Sequence, residues 1–478
     1  MTTPVRDQAV PPPEPTDPTA LLRSGAYLRL LVIAAVLGVP ISAVAYWFLV
    51  LTGALGNWLY ADLPRTLALD PVPAWWPLPL LGTAGLLVGL LIRFVPGHGG
   101  ESPLDGFHPG GGPPTPVPLL GITLAAVVSI GFGAVVGPEA PLIAIGGGLA
   151  AATVRLARRD APDRLLAVVA AAGSFAAISA LFGSPLSGAF LLMEAVGIGG
   201  PMLRPILLPG LLASGIGTLV FIGLDSWTGH GTFSLALPDL PPFARPDVAQ
   251  FAWALAIGLA AAVLVAAIRR IAGPLRAPVE RRIVVAAPLI GVAIAGLAIG
   301  YAQLTGHSVT DVLFSGQDQL PGLVSASADY TVGALLLLLA CKSLAYAGSL
   351  VAFRGGPTFP SIFLGAVGGI ALSHLPGLSL VPAIAMGIGA MSAAMLQLPL
   401  TSVLLATVIL GADGFTVMPL AIVAVTVSYV TSARLTPRPA APQTDEAGND
   451  GTPGTHEPVP HQRQATAHAD PARRSADP

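Results

Sequence analysis

From Leu119 to Val136 the chain carries no charged residue, and the run is long enough to cross the hydrocarbon core of a bilayer. It leads directly into Gly137-Pro138-Glu139-Ala140-Pro141-Leu142-Ile143-Ala144-Ile145-Gly146-Gly147, which sets one carboxylate in apolar surroundings. An ionisable group at membrane depth is costly, and the default reading of it is functional. Pro141 suits the first turn of a helix, where its missing N–H has no partner to lose. Glu139 therefore stands over a helix N-terminus, where free N–H groups and the positive end of the dipole bind anions. A carboxylate there acts as a tethered anion, competing with a free one for the same N–H groups. The plainer alternative is a glutamate that only stabilises its own helix. A soluble setting would favour that alternative, and a membrane setting favours the functional one.

The same frame recurs. Gly356-Pro357-Thr358-Phe359-Pro360-Ser361-Ile362-Phe363-Leu364-Gly365 repeats Gly-Pro-x-x-Pro-x-Ile-x-x-Gly, and from Gly137 to Gly356 is 219 residues. A second pair follows in the same order: Ser184-Pro185-Leu186-Ser187 and Leu398-Pro399-Leu400-Thr401. Gly and Pro are abundant (56 and 48), so one match could arise by chance; two ordered matches indicate a duplicated unit. In a membrane protein, paired repeats with Gly/Pro-interrupted helices point to a transport site near the midplane, between the halves.

Only 10% of the 478 residues are charged, against about a quarter in soluble domains, and 53% are hydrophobic. The expected fold is an all-α polytopic membrane protein. A single cysteine, Cys341, excludes a disulfide framework and a thiolate metal cluster. The first apolar run follows a polar, Pro-rich lead and is too long for a signal-peptide core.

Residues 1–23 are expected to be disordered. Tyr27 to Leu59 exceeds one perpendicular span and must tilt, kink at Pro40 or extend beyond the bilayer. Trp76 to Val95 is a second span. The polar stretch from Pro96 to Gly106 is either a surface loop or, the preferred reading, part of a pore, since non-helical backbone at membrane depth must line a cavity or be buried in protein. Arg155, Arg158, Arg159 and Arg164 mark a short basic, cytoplasmic loop. Leu165–Leu181, the short Pro185–Val196 and Arg204–Leu224 follow, then a polar loop from Asp225 to Asp247. Phe251–Ile268 spans and ends in a second basic cluster, Arg269 to Arg282, also expected to be cytoplasmic. Ile283–Tyr301 spans, Thr305–Ser327 reads as a polar loop, and Thr331–Val351 spans with Lys342 inside it. Lys342 either neutralises a site charge, attracts anions or snorkels from a span end. Val381–Met395, Pro399–Leu410 and Phe415–Ser432 complete the apolar segments, and several near the repeats are half-span length, as re-entrant helices are. Repeat 1 is placed at 24–225 and repeat 2 at 226–436. Residues 437–478 read as a disordered tail, with both termini cytoplasmic.

Enzyme chemistry finds little support. The histidines, His98, His108, His230, His307 and His374 among them, are scattered and lack metal-ligand spacing. A phosphate-binding Gly-x-x-x-x-Gly-Lys motif is absent, as is a stacked-arginine voltage sensor. No enzymatic activity, cofactor, metal or nucleic-acid partner is expected.

These residues resemble the CLC family of chloride channels and chloride/proton exchangers, over roughly Tyr27 to Leu435. Gly137-Pro138-Glu139-Ala140-Pro141 is similar to the family's Gly-Arg/Lys-Glu-Gly-Pro signature, and Phe182-Gly183-Ser184-Pro185-Leu186-Ser187-Gly188 to its Phe-Asn-Ala-Pro-Leu-Ala-Gly segment. Gly355-Gly356-Pro357-Thr358-Phe359-Pro360 resembles its Gly-x-Phe-x-Pro loop, and Leu398 to Thr401 its late Ala-Pro-Leu-Thr element. The resemblance implies a homodimer with a pore in each subunit, built of inverted repeats, that moves chloride or another small anion. Glu139 would be the gate, swinging away when protonated. Anions would be bound by the loop that stands for the filter (Gly99, Gly100 and Ser102), by Pro138 and Ala140, and by the N–H groups of Thr358 and Phe359.

Several positions depart from the family pattern. Gly99 or Gly100 stands where the filter serine would be, with Ser102 nearby. Thr358 replaces the filter phenylalanine, and Pro357 removes an N–H. The pore tyrosine has no counterpart; Tyr429 lies within the last span. The exchangers' inner proton-handling glutamate falls at Ala195, with Glu194 one residue earlier as the candidate proton pathway. Ala195 tilts the reading to a channel or weakly proton-coupled transporter. A fully coupled chloride/proton antiporter, a secondary transporter of another anion or organic solute, and a membrane enzyme remain alternatives.

Overall fold

The computed structural model describes residues 23–106, 112–182, 184–195, 203–237 and 240–435. Residues 1–22 of the expected N-terminal segment and the whole expected tail at 437–478 lie outside these, as do Gly183 and Val196.

The first half comprises α1 (Gly25–Asn57), a π turn (Trp58–Asp62) continuing into α2 (Leu63–Thr66), α3 (Pro77–Phe94), α4 (Pro116–Gly131), α5 (Glu139–Ala157), α6 (Asp163–Ala177), α7 (Pro185–Ala195) and α8 (Leu203–Thr228). The second comprises α9 (Val248–Arg281), α10 (Ile283–Thr305), α11 (Gln319–Ser325), α12 (Val332–Ala352), α13 (Thr358–Ser373), α14 (Leu380–Leu396), α15 (Pro399–Ile409) and α16 (Gly414–Leu435). Proline opens α3, α4, α7 and α15, where no N–H is lost. Ser24, Thr331 and Asp247 cap α1, α12 and α9, the last with a full capping box to Gln250. Among the described residues, eight helices are long and apolar enough to cross a bilayer, and six shorter apolar ones include α4, α7, α13 and α15.

The two halves repeat the same packing. In the first, α5 lies on α6, α6 on α8, and α1 on α8; in the second, α13 lies on α14, α14 on α16, and α9 on α16. Across the halves, equivalent elements meet each other: α3 packs on α10, and α7 on α15. Self-matched contacts of this kind are what a two-fold relation produces. At the α3–α10 crossing, a side chain on Gly85 would collide with the backbone of Ala287, and one on Gly291 with the backbone of Leu81. Gly291 lies 206 residues after Gly85 and Ala287 lies 206 after Leu81, so the close approach is itself two-fold. Such small-residue contacts are how helices pack in lipid, where apolar burial gives no drive. α13 and α14 form the centre: Val381 to Leu396 is buried without interruption.

Several elements differ from the sequence reading. The apolar run from Leu119 to Val136 is not one helix; α4 ends at Gly131, and residues 132–138 are non-helical, with Gly133 at φ +95°. α9 stays helical through Arg269, Arg270, Arg276 and Arg281, so the second basic cluster lies mostly on a helix rather than in a loop. Its 34 residues span roughly 50 Å, well beyond an apolar core of about 30 Å, so its basic turns clear the bilayer. The expected loops at Thr305–Ser327 and Asp225–Asp247 are partly helical, holding α11 and the end of α8.

Lys342 neither serves a site charge nor snorkels. It is fully buried, and its ammonium donates to the carbonyls of Asp311 (2.8 Å), Val312 (3.3 Å) and Leu313 (3.0 Å). It also sits 4.2 Å from the centroid of the Phe363 ring. All three of its donors are used to hold the α10–α11 connection against α12.

Candidate functional site

The two Gly-Pro frames meet in space. Gly137 and Gly356 exchange a pair of backbone N–H···O bonds, both 2.7 Å, forming an isolated antiparallel bridge. Flanking bonds repeat the symmetry: Val135 N–H donates to Ser349 Oγ and Arg354 N–H to Ser129 Oγ, each at 3.0 Å. Non-helical backbone in an apolar interior needs such partners. Together they bring the N-termini of α5 and α13 to one point.

Glu139 is the first residue of α5 and Thr358 the first of α13. Thr358 N–H donates to Glu139 Oε1 at 2.5 Å. Both residues are fully buried, and no basic group lies within 4.0 Å of the carboxylate among the described residues. Glu139 Oε2 and Thr358 Oγ1 are buried without a hydrogen-bond partner. A side chain on Gly356 would overlap the carboxylate, so only glycine leaves this seat open. Phe359 stacks on Phe182, centroids 5.3 Å apart with planes 9° from parallel, and makes an aromatic wall beside the seat. Pro357, which has no N–H, takes hydroxyl donors from Tyr346 and Ser361 on its carbonyl, both at 2.7 Å.

A cavity of about 560 Å³ reaches this point. Gly99, Gly100 and Ser102 line it together with Ala140, Pro357 and Ala195. Most of the stretch from Gly97 to Gly106 thus lines this cavity. Its donors are nevertheless committed: Gly100 N–H bonds to Gly97 carbonyl at 2.8 Å, and the Ser102 hydroxyl donates to Leu350 carbonyl at 3.0 Å. Pro138 caps α5 and brings no N–H of its own.

Glu194 does not join the site. Its carboxylate accepts from Leu400 N–H (3.0 Å), Thr401 N–H (2.8 Å) and the Thr401 hydroxyl (2.6 Å), capping the N-terminus of α15. One residue along a helix is a turn of about 100°, which sends Glu194 to α15 while Ala195 faces the cavity. In the structure, the residue expected on the proton pathway, Glu194, caps α15.

Sequence reading missed Tyr346 and Arg354. Tyr346 offered no signal beyond a tyrosine within a span. Arg354 did: no other Asp, Glu, Lys or Arg lies between Lys342 and Asp413.

Helices joined in an inverted repeat, with broken ends meeting around a buried carboxylate, define a polytopic membrane-transport fold. A family model described as "Voltage gated chloride channel" matches residues 84–433, and the chain belongs to this CLC family of anion transport proteins. The Escherichia coli protein named "Putative ion-transport protein YfeO" (strain UMN026) is 30% identical over 364 residues, which cover 74% of this chain and 81% of that one. Among solved structures, a slow cyanobacterial Cl−/H+ antiporter aligns with a TM-score of 0.68 at 19% identity, covering 85% of this chain and 95% of the other. A CLC-type fluoride/proton antiporter aligns with a TM-score of 0.63 at 19% identity, covering 85% and 96%.

Proposed function

We propose that the chain conducts chloride or another small anion across a cell membrane, gated by Glu139 and coupled to protons weakly if at all. The observation that carries this is the Glu139 carboxylate on the N–H of Thr358, between two helix N-termini. Desolvating a carboxylate costs several kcal/mol. One charge-assisted hydrogen bond returns about 1.5–3 kcal/mol, and a helix N-terminus up to about 2. The opposing amounts are similar, so the seat is marginal, and a free anion or a proton on Glu139 can shift the balance. The N–H groups of Ala140, Thr358 and Phe359 are the donors that would strip water from the anion. By the basic residues at Arg155–Arg159 and along the end of α9, both termini face the cytoplasm. A homodimer is part of the same proposal, supported by membership of the family.

A second reading, a coupled antiporter, is favoured by both solved structures above being proton antiporters. Against it stands Ala195 at the cavity wall, with the neighbouring carboxylate spent on α15.

The test is chloride efflux from liposomes holding wild type, Glu139→Gln or Glu139→Ala, at about pH 4.5 and about pH 7.5, an acidic and a near-neutral condition between which a gating carboxyl group changes its protonation. The wild type is expected to be faster at the lower pH. Both variants are expected to be fast at either pH. Variants that keep the wild-type pH profile remove Glu139 from the gate.

A further inference from the structure

Arg354 is 8% exposed and lies between α12 and α13, where the chain is otherwise apolar. Its backbone N–H goes to Ser129 Oγ, and its Nη1 donates to Phe353 carbonyl at 3.1 Å. Its Nε is buried with no partner. The neighbouring carboxylates are taken by Arg276, which pairs with Asp105 through both oxygens (2.5 and 2.9 Å) and with Glu280 (2.9 Å). Among the described residues no ion pair within 4.0 Å includes Arg354. A guanidinium stays charged at any working pH, and a buried cation without a counter-charge costs several kcal/mol. Removing one methyl-sized obstruction explains how it fits: a side chain on Gly99 would press within 3.2 Å of Arg354 Cγ.

Its position gives the charge a use. Arg354 lines the cavity that reaches Ala140 and Pro357, and also a second cavity of about 410 Å³ bounded by Asp105, Arg276 and Glu280. Glu101 borders both. Arg354 thus stands in the wall between an entrance rich in paired charge and the chamber leading to Glu139.

We propose that the Arg354 guanidinium is a side-chain anion site of the pathway, binding a monovalent anion in the chamber before it reaches the N–H groups around Glu139. This deepens the transport reading and rests on it. It also accounts for the nearby loop, where Gly100 N–H and the Ser102 hydroxyl are committed to Gly97 and Leu350 and the fixed donor comes from Arg354 packed beside Gly99 instead. A planar guanidinium fork accepts a halide or, bidentately, a planar oxyanion. The shared chemistry is a desolvated single negative charge.

The experiment compares wild type, Arg354→Lys and Arg354→Met in liposomes, with initial flux measured against chloride and, separately, nitrate concentration. Arg354→Met is expected to raise the half-saturating anion concentration about tenfold or more, the weight of one charge-assisted hydrogen bond. Arg354→Lys is expected to recover chloride to within about threefold while recovering nitrate less, because an ammonium has no fork. Equal recovery of both anions supports the site as a point charge whose fork geometry is not used. A half-saturation that stays at the wild-type value in Arg354→Met overturns the inference. Wild type that moves neither anion overturns the transport reading first, and this site with it. Should the variants not fold, bromide-soaked crystals of wild type decide the matter by anomalous scattering: a bromide against the guanidinium supports the site, and bromide only at Thr358 overturns it.

Discussion

Two glutamates at helix ends have opposite fates, and their partners explain the difference. Glu194 receives three donors from the start of α15, enough to satisfy a carboxylate in place. Glu139 receives one, from Thr358, and leaves an oxygen bare. The first is a cap, and the second has the sparse partners that the proposed removable plug requires. Glu194→Ala should lower the midpoint of thermal unfolding in detergent, reflecting about 1–2 kcal/mol of lost capping, without altering the pH dependence of chloride flux. A changed pH profile in that variant would return Glu194 to the transport path. Gly356 offers a test of the plug from the other side. An alanine there would overlap the Glu139 carboxylate, so Gly356→Ala should mimic Glu139→Gln: faster chloride flux at neutral pH and a flattened pH profile. A Gly356→Ala variant with the wild-type profile would mean the carboxylate closes the path from a different seat.

Helices α4 and α12 each end in a serine turn that satisfies the other half's extended strand, Ser129 for Arg354 N–H and Ser349 for Val135 N–H. Because the two bonds are repeat-related and equally long, Ser129→Ala and Ser349→Ala should destabilise by similar amounts, about 1–3 kcal/mol each for an orphaned buried N–H. Chemical unfolding of the two variants side by side checks the equality. The duplicated Gly-Pro frame made the meeting of α5 and α13 legible in the sequence, since a frame that recurs with its prolines in register must serve the same local turn twice. Half-span lengths also marked α7 and α15 as short, though not the break after α4. Legibility stopped where the partner is remote in sequence. A lysine inside an apolar span reads the same whether it faces an ion or three carbonyls, and Lys342 meets carbonyls of the 311–313 turn. Glu194 and Ala195 differ by a rotation that only the packed α7–α15 pair resolves. Lys342→Met should destabilise by about 1–3 kcal/mol for each buried carbonyl left unpaired, while leaving anion preference unchanged in any protein that still folds. A shift in anion preference would give Lys342 a place in the pathway after all.

Over the molecule, anion and proton need not share a route. The route proposed for the anion runs from Arg354 through the cavity to the paired N-termini of α5 and α13. A proton that reaches Glu139 from one side must leave by the other if transport is to be coupled, and the second station would have to face the cavity. The residue that does so at the end of α7 is Ala195, and the carboxylate beside it is held by α15. Alanine carries no proton, so on the reading proposed above Glu139 loads and unloads only toward its own side, changing how often the path opens without fixing a ratio of protons to anions. Liposomes with an imposed chloride gradient and no proton gradient should therefore show anion flux without uphill proton movement. Ala195→Glu puts a carboxylate at the cavity wall, and if position is all that is missing, that variant should begin to move protons against their gradient while its chloride flux slows. Uphill protons in the wild type would instead require a second proton station among the groups that line the cavity, with Glu101 the first carboxylate to substitute.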